Sequence, residues 1–185
     1  MQKIPIPAYP MLNPNPIVII GTQGGDKANY TTAGAFGVVC LEPIFYASLK
    51  DSHQSTANIR ENGWFSVNIP GPDLLPQTDY CGKVSGQAED KSLIFTPFYD
   101  EKGPAPLIGE APLNYLCRVI DSHAIRGFTV FFGEIRSAYL NEDCFSEGRI
   151  DLQKIQPVLG MGATYFGLGA ELGKVFQVKQ RGEKC

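Results

Sequence analysis

The stretch IFYASLKDSHQSTANIRENGWFSVNI, residues 44–69, contains the alternation of strand and turn signals that decides the fold. It opens with an apolar run rich in aromatic residues and closes with Trp64–Ile69, where polar and apolar side chains alternate. That alternation predicts a half-buried strand. The intervening segment 53–62 is predicted to be helical, with Ser52 as N-cap and Gly63 after the last turn.

Apolar runs of the same kind lie on both sides of this stretch, separated by glycines. The predicted strands cover residues 17–20, 30–39, 113–120 and 128–137. Gly24-Gly25-Asp26 predicts a hairpin turn between the first two strands. Gly127 and Gly133 predict a bend or bulge of the kind that closes a barrel. Several short strands with turns between them favour a mainly β barrel or sandwich.

Helical signals are few outside residues 53–62. Short helices are predicted at 77–84 and 89–95, and the proline-rich segment 92–114 is predicted to be an excursion outside the barrel. No linker or repeat divides the chain, so residues 1–185 are expected to form one domain with a few short peripheral helices.

The composition narrows the function classes. The chain is 43% hydrophobic and 19% charged, as in globular proteins, and its net charge of −3 disfavours a nucleic-acid partner. No apolar run approaches the roughly 18 residues that span a bilayer. The first ten residues hold three prolines and no apolar region of a signal peptide, so a cytoplasmic protein is expected.

The five cysteines are widely spaced and form no Cys-x-x-Cys pair. This pattern disfavours a structural zinc site or an iron–sulfur cluster, so no metal is predicted. Reduced and mostly buried thiols are expected instead.

Residues Lys50–Thr56 run from a strand end into a helix start, which suits a phosphate group. The first N–H groups of a helix lack internal partners, and Lys50 and the hydroxyls of Ser52, Ser55 and Thr56 could add donors. Asp51 would repel the phosphate unless it points outward or the phosphate lies further along, near Ser55 and Thr56. A capped surface helix without a ligand is the alternative interpretation of this segment.

Asn29–Ala35 is the second candidate segment, because it joins a turn to a strand through small residues with polar tips. Small side chains let a flat ring approach the backbone, and Asn and Thr side chains can bind polar ring edges. The alternative is an ordinary strand with surface threonines.

The order of these strands, turns and polar segments along the chain resembles that of the flavin reductase-like FMN-binding split barrels. Within that group it is most similar to the flavoredoxins. The resemblance continues downstream in three places and covers roughly residues 10 to 178. These places are Asp79–Gly86 followed by Asp90-Lys91, then Phe131–Ile135, then Tyr165–Lys174. The resemblance implies a Greek-key-type split β-barrel that binds FMN.

The resemblance also implies site residues by position. Asn29, Thr31 and Thr32 would face the isoalloxazine ring, and Leu49 and Lys50 would pass along its edge and the ribityl chain. Ser55 and Thr56 would hold the phosphate, with Ser52 as a further candidate. Lys91 would supply a second cation. No catalytic side chain is implied, since the flavin carries the chemistry.

The same resemblance implies a homodimer with FMN near the subunit interface, supplied with electrons by NADH, NADPH or a redox protein. Three positions depart from the family pattern. Ala35 stands where many flavoredoxins have Trp, and Phe128 stands where many flavin reductases have a histidine. Asp51 stands where relatives often have a small or basic residue. Three interpretations therefore stay open: an NAD(P)H-linked reductase, an electron carrier without that activity, and a non-catalytic cofactor-binding barrel.

Four further residues have two interpretations each. His53 could contact the phosphate or be a solvated helix residue, and Cys81 could lie near the flavin or be a buried structural thiol. His123 precedes an apparent loop and is expected to be structural or solvated. Arg126 could bind a cofactor phosphate through a bidentate contact or be a surface arginine.

Overall fold

The computed structural model describes residues 1–175 of the chain, which form fourteen strands and three α-helices. The strands are β1 (Asn15–Pro16), β2 (Val18–Gly24), β3 (Lys27–Ala33), β4 (Phe36–Val38), β5 (Ile44–Lys50), β6 (Trp64–Ile69), β7 (Pro97–Asp100), β8 (Gly103–Ile108), β9 (Leu113–Ile125), β10 (Phe128–Leu140), β11 (Phe145–Ser146), β12 (Arg149–Ile150), β13 (Leu159–Met161) and β14 (Thr164–Phe166). The α-helices are α1 (Gln54–Asn62), α2 (Leu75–Lys83) and α3 (Leu152–Ile155), and 3-10 helices cover Pro10–Leu12, Pro72–Leu74 and Glu142–Cys144.

Seven antiparallel strands form the central sheet in the order β3-β2-β6-β9-β10-β5-β4. The strands β3 and β4 follow each other in the chain but lie at opposite edges. The sheet therefore curls until its edges approach, and the Ser48 amide donates to the Ala35 carbonyl at 2.9 Å. This curled sheet confirms the predicted mainly β split barrel with short peripheral helices. The predicted strand 30–39 is in fact two strands, because Gly34 and Ala35 cross between the edges.

The core fills the inside of the curled sheet, where Phe65, Val67 and Ala47 are fully buried. A Cβ on Gly133 would lie 2.4 Å from the Phe65 ring, so only glycine fits there, and the pairing of β9 with β10 shifts register at this point. The predicted bulge at Gly133 is confirmed. Gly127 instead lies in the turn of the β9–β10 hairpin with φ of 83°.

The segment 92–114 is not the loop-rich excursion that its prolines indicated. It contains the β7–β8 hairpin, and Ala105, Leu107 and Ile108 on β8 are fully buried against the outer face of the sheet. Ser66 donates to the Pro106 carbonyl. The polar face of β6 is therefore covered as well, and the prediction of a half-buried strand at Trp64–Ile69 was wrong.

The helices agree with the sequence in part. Helix α1 begins at Gln54 after His53, which takes the N-cap position that was predicted for Ser52, and it ends at Gly63 with φ of 75°. Helix α2 confirms the prediction at 77–84. Residues 89–95 contain turns, since Asp90 accepts a hydrogen bond from the Ser92 amide at 2.9 Å. Such local side-chain bonds compete with helix formation.

The remaining predictions concern cysteines, one histidine and membrane spans. Cys81, Cys117 and Cys144 are buried thiols as expected, Cys40 is exposed, and Cys185 lies outside the described residues. His123 lies on the exposed end of β9 and not in a loop. No helix within residues 1–175 has the length and apolar character to cross a bilayer.

Candidate functional site

A buried polar network joins the β2–β3 hairpin to helix α1. The Asn29 side-chain amide donates to Ser55 Oγ at 2.8 Å, and the Asn58 amide donates to Thr22 Oγ1 at 3.1 Å. All four side chains are at least 92% buried, with Asn29 the most exposed at 8%. Since Ser55 Oγ already accepts a hydrogen bond, its own O–H is free to donate to a ligand.

A cavity of about 210 Å³ opens beside this network, between β3, the start of α1 and the segment that follows α2. We call it the lysine cavity. It is lined by Asn29, Thr31, Lys50, Ser52, His53, Gln54, Ser55, Gly82, Lys83, Val84, Ser85, Gly86 and Lys91. Six of the nine residues predicted for the flavin site are in this set: Asn29, Thr31, Lys50, Ser52, Ser55 and Lys91.

The charge of the lysine cavity suits an anion. Lys50, Lys83 and Lys91 line it, and no aspartate or glutamate of residues 1–175 does. The first N–H groups of α1 lack intrahelical partners and lie at the same end of the helix as Ser52 and Ser55. Cations, hydroxyls and helix N–H groups are the donors that phosphate groups bind.

Lys91 is the most constrained of the three lysines. It is only 3% exposed, and its Nζ donates to the Tyr30 carbonyl at 2.9 Å and to the Cys81 carbonyl at 3.1 Å. Burial lowers the pKa of Lys91, and the same burial raises the pKa of the Cys81 thiol to about 11. Cys81 is therefore a protonated structural thiol whose carbonyl holds Lys91 in place.

His53 also lines the lysine cavity. Its Nδ1 is buried without a hydrogen-bond partner among the described residues. Burial and then the charges of Lys91 and Lys50 lower the pKa of His53. A buried nitrogen without a partner is costly, so this atom is suited to a hydrogen bond with a bound ligand.

Asp51 points away from the lysine cavity. Its Oδ1 accepts hydrogen bonds from Arg60 at 2.8 Å and from Thr129 at 2.6 Å, and its backbone N–H donates to the Gly127 carbonyl. This contact ties the strand end at Lys50 to the turn of the β9–β10 hairpin. The outward direction expected for a carboxylate beside a phosphate site is confirmed.

Three predicted site residues do not line the lysine cavity. Thr32 lies on the opposite face of β3 from Thr31, as the two-residue period of a strand requires, and it donates to the Thr78 carbonyl of α2. Leu49 packs in the core. Thr56 is fully buried and donates to the Lys50 carbonyl at 2.8 Å, so its hydroxyl fixes the shape of the Lys50–Thr56 segment.

Seven lining residues were not among the predicted site residues: His53, Gln54, Gly82, Lys83, Val84, Ser85 and Gly86. A Cβ on Gly86 would lie 2.1 Å from the Asn29 side-chain oxygen, so the absence of a side chain lets this segment close against β3. The stretch Cys81-Gly82-Lys83-Val84-Ser85-Gly86 belongs to the family pattern in the sequence, and that pattern is the signal that could have identified most of these residues.

A second cavity of about 450 Å³ continues from the first. The two share Asn29, Gln54, Gly86 and Lys91 as a common wall. Because the second cavity is also lined by Lys27, Glu61, Glu89 and Asp90, we call it the mixed-charge cavity. Lys27 and Asp90 form an ion pair across it at 2.6 Å.

Two exposed apolar residues lie near Lys50 in the sheet. Phe128 pairs with Lys50 in the β5–β10 register and is 44% exposed, and Ala35, which approaches Ser48, is exposed as well. Ala35 and Phe128 are thus exposed apolar residues on the two sides of β5 near Lys50.

Comparisons with known proteins agree with this architecture. A model of the flavin reductase-like domain family matches residues 11–161. The flavoredoxin from Methanosarcina acetivorans is 35% identical, with a TM-score of 0.90 over 96% of this chain and 97% of its own. The flavoredoxin of Desulfovibrio vulgaris (Miyazaki F) is 32% identical, with a TM-score of 0.87 over 95% of this chain and 98% of its own.

A further relative was found by comparison of sequences. A protein of Archaeoglobus fulgidus described as uncharacterised is 30% identical over 133 residues, which are 70% of this chain and 75% of that protein. The family match covers more than half of the chain, and two flavoredoxin structures superpose on nearly all of it. The chain therefore belongs to the flavin reductase-like domain family.

Proposed function

We propose that this chain binds FMN and serves as a flavin-dependent redox protein, either by reducing flavin with NADH or NADPH or by passing electrons through bound FMN. The observation that carries the proposal is the lysine cavity, where Lys50, Lys83 and Lys91 meet the hydroxyls of Ser52 and Ser55 without a carboxylate among the described lining residues. The flavin, when bound, would supply the electron or hydride transfer.

The residues present fit the two ends of FMN. The phosphate would lie in the lysine cavity, where Ser55 O–H and the buried Nδ1 of His53 have hydrogen-bonding capacity to spare. The ring would lie beyond Thr31, over the exposed surface of Ala35 and Phe128. Its apolar area would then be covered on the side where the chain itself is apolar.

Visible absorption of the purified protein tests the cofactor. A flavin spectrum, with FMN released on denaturation, is the expected result. Riboflavin, which lacks the phosphate, is the matched control ligand, and we expect it to bind at least tenfold more weakly, on the order of 1.4 kcal/mol or more. A colourless protein that takes up no added FMN would overturn the proposal.

An electron carrier without NAD(P)H activity is the second candidate, and Phe128 favours it. This residue is apolar and exposed beside Lys50, at the position where the family resemblance would place a histidine. An exposed aromatic side chain at the edge of a flavin site suits contact with a redox protein at least as well as it suits a polar nicotinamide group.

Anaerobic addition of NADH and NADPH separates the two candidates. Rapid bleaching of the bound flavin by either nucleotide supports the reductase. If neither nucleotide bleaches the flavin while dithionite does, the electron carrier is supported. Phe128→His is the matched variant, because a gain of nucleotide-dependent bleaching would identify this position as the cause.

We also propose a homodimer with FMN near the interface. The far end of the β9–β10 hairpin exposes Ile120 (52%), Ile125 (51%) and Phe128 (44%), and patches of exposed apolar side chains mark interaction surfaces. Phe128 lies on both this patch and the proposed ring surface. Analytical ultracentrifugation of the wild type and of Ile125→Glu tests the dimer, and a monomeric wild type would contradict it.

A further inference from the structure

We infer that His53 is a proton-coupled ligand of the flavin phosphate, which is neutral in the free protein and takes up a proton when the phosphate enters the lysine cavity. The chain then binds FMN and a proton together. This inference rests on the proposed flavin function and deepens it, because it assigns a change of charge to one residue of that site. The carrying observation is the position of His53 in a cavity that three lysines also line.

The backbone of His53 is fixed between strand β5 and helix α1. Its N–H donates to the Lys50 carbonyl at 2.9 Å, and its carbonyl accepts from the Thr56 amide at 3.1 Å. Its side chain does not cap the helix, and its Nδ1 is buried without a partner among residues 1–175. The imidazole is therefore held at the cavity with no hydrogen bond at Nδ1 to fix its tautomer or its charge.

The charged side chains that share the lysine cavity with His53 come from three parts of the fold and are all cationic. Lys50 ends β5, Lys83 ends α2, and Lys91 follows α2. Asp51, the neighbour of Lys50, points away from the cavity. Burial and then the charges of Lys91 and Lys50 lower the pKa of His53, so its ring is neutral at pH 7 in the free protein.

The other titratable groups around the lysine cavity do not balance its cations. Glu61, Glu89 and Asp90 line only the mixed-charge cavity, and Asp90 is paired with Lys27 there. Burial raises the pKa of the Cys81 thiol to about 11, so this group is uncharged at neutral pH. A bound anion would supply the negative charge that the described lining residues lack.

A phosphate reverses the electrostatic environment of His53. The second pKa of a phosphomonoester is about 6, so the group carries nearly two negative charges at pH 7. An opposite charge within about 4–6 Å favours the charged form of a titratable group. The protonated imidazole donates from both ring nitrogens, whereas the neutral ring donates from one. Protonation of His53 therefore gives the phosphate both a charge partner and a further donor.

The FMN affinity should depend on pH in one direction. Because the complex holds the His53 proton more tightly than the free protein does, the affinity should rise as pH falls. This rise extends down to the lowered pKa of His53 in the free protein. Protonation of the phosphate opposes it below about pH 6, so the range between roughly pH 6.5 and 8 is the one to measure.

Proton NMR of the imidazole tests the inference, since the chain has only two histidines. His123→Gln leaves His53 as the single histidine, and His123 is exposed on β9 and does not line the lysine cavity. The pH midpoint of the His53 ring signal is measured in this purified variant without FMN and with saturating FMN. We expect FMN to raise the midpoint by about one pH unit or more, a tenfold change in proton affinity.

Riboflavin, which lacks the phosphate, is the matched control ligand and should leave the His53 midpoint unchanged. In FMN titrations followed by flavin fluorescence, the wild type should bind several-fold more tightly at pH 6.5 than at pH 8, and His53→Gln should lose this difference.

Three outcomes would overturn the inference while FMN still binds and the proposed function stands. They are a His53 midpoint that FMN does not raise, a midpoint that riboflavin raises equally, and a pH dependence of FMN affinity that is as steep in His53→Gln as in the wild type. If FMN does not bind, the inference and the proposed function are both overturned.

Discussion

The lysine cavity and the mixed-charge cavity share a wall but differ in what their charges do. In the lysine cavity the three lysines face no carboxylate of the described residues, so their charge is available to a ligand. In the mixed-charge cavity Lys27 already pairs with Asp90. The wall residues Asn29 and Lys91 line both cavities and also hold the fold through their bonds to Ser55 and the Tyr30 carbonyl, whereas the outer residues line one cavity only.

Among changes at the common wall of the two cavities, Lys91→Met is expected to have the largest effect. The change leaves the buried Tyr30 and Cys81 carbonyls without a donor, and we expect it to lower the free energy of unfolding by about 2–3 kcal/mol. FMN affinity should fall as well. Lys83→Met is the matched control, since Lys83 is exposed in the same cavity, and it should lower FMN affinity without changing stability. Urea unfolding and FMN titration of both variants measure the contrast.

Gly86→Ala tests the close approach of the wall to β3. The new Cβ would lie 2.1 Å from the Asn29 side-chain oxygen, so that amide must turn and lose its bond to Ser55. We expect a loss of about 1–2 kcal/mol in stability, with weaker FMN binding. Gly71→Ala, where a Cβ meets no atom within 4 Å, is the control. Equal effects of the two changes on thermal unfolding would show that the wall is not tightly packed.

Asp51→Asn separates support of the fold from ligand binding. It removes the ion pair with Arg60 and weakens the acceptor of Thr129, which should lower stability by about 0.5–1 kcal/mol. FMN affinity should stay the same or rise, since a negative charge near the phosphate is lost. Asp90→Asn breaks the exposed ion pair of the other cavity and should leave urea unfolding unchanged. A large drop in FMN affinity for Asp51→Asn would place this carboxylate in the ligand site.

His53→Gln has the smallest expected effect and depends on pH. Burial lowers the pKa of His53 in the folded protein, so the unfolded chain binds its proton more readily. The wild type should therefore lose stability relative to His53→Gln as pH falls below about 6.5, with no difference at higher pH. Urea unfolding at several pH values measures this difference, with His123→Gln as the exposed control. Added phosphate should reduce it, because a bound anion favours protonated His53.

The sequence predicted most of the strands because their apolar runs end at glycines and turns. It failed where long-range contacts decide burial. The alternating pattern of Trp64–Ile69 predicts a half-buried strand, but the β7–β8 hairpin covers the polar face of this strand. That hairpin was not predicted, because the prolines of 92–114 are typical of a loop. Thr31 and Thr32 were both predicted to face the ring, although the two-residue period of β3 places them on opposite faces, and only Thr31 lines the lysine cavity.

The sequence by itself determined the family, the mainly β architecture and two polar segments, Asn29–Ala35 and Lys50–Thr56, because these depend on local pattern and order along the chain. Only the tertiary structure showed that Asn29, Ser55 and Lys91 line one cavity. It also turned the hydroxyl of Thr56 inward to the Lys50 carbonyl, and it opened a second cavity beside the first. The physical reason is that burial, charge pairing and cavity shape depend on contacts between residues far apart in the chain.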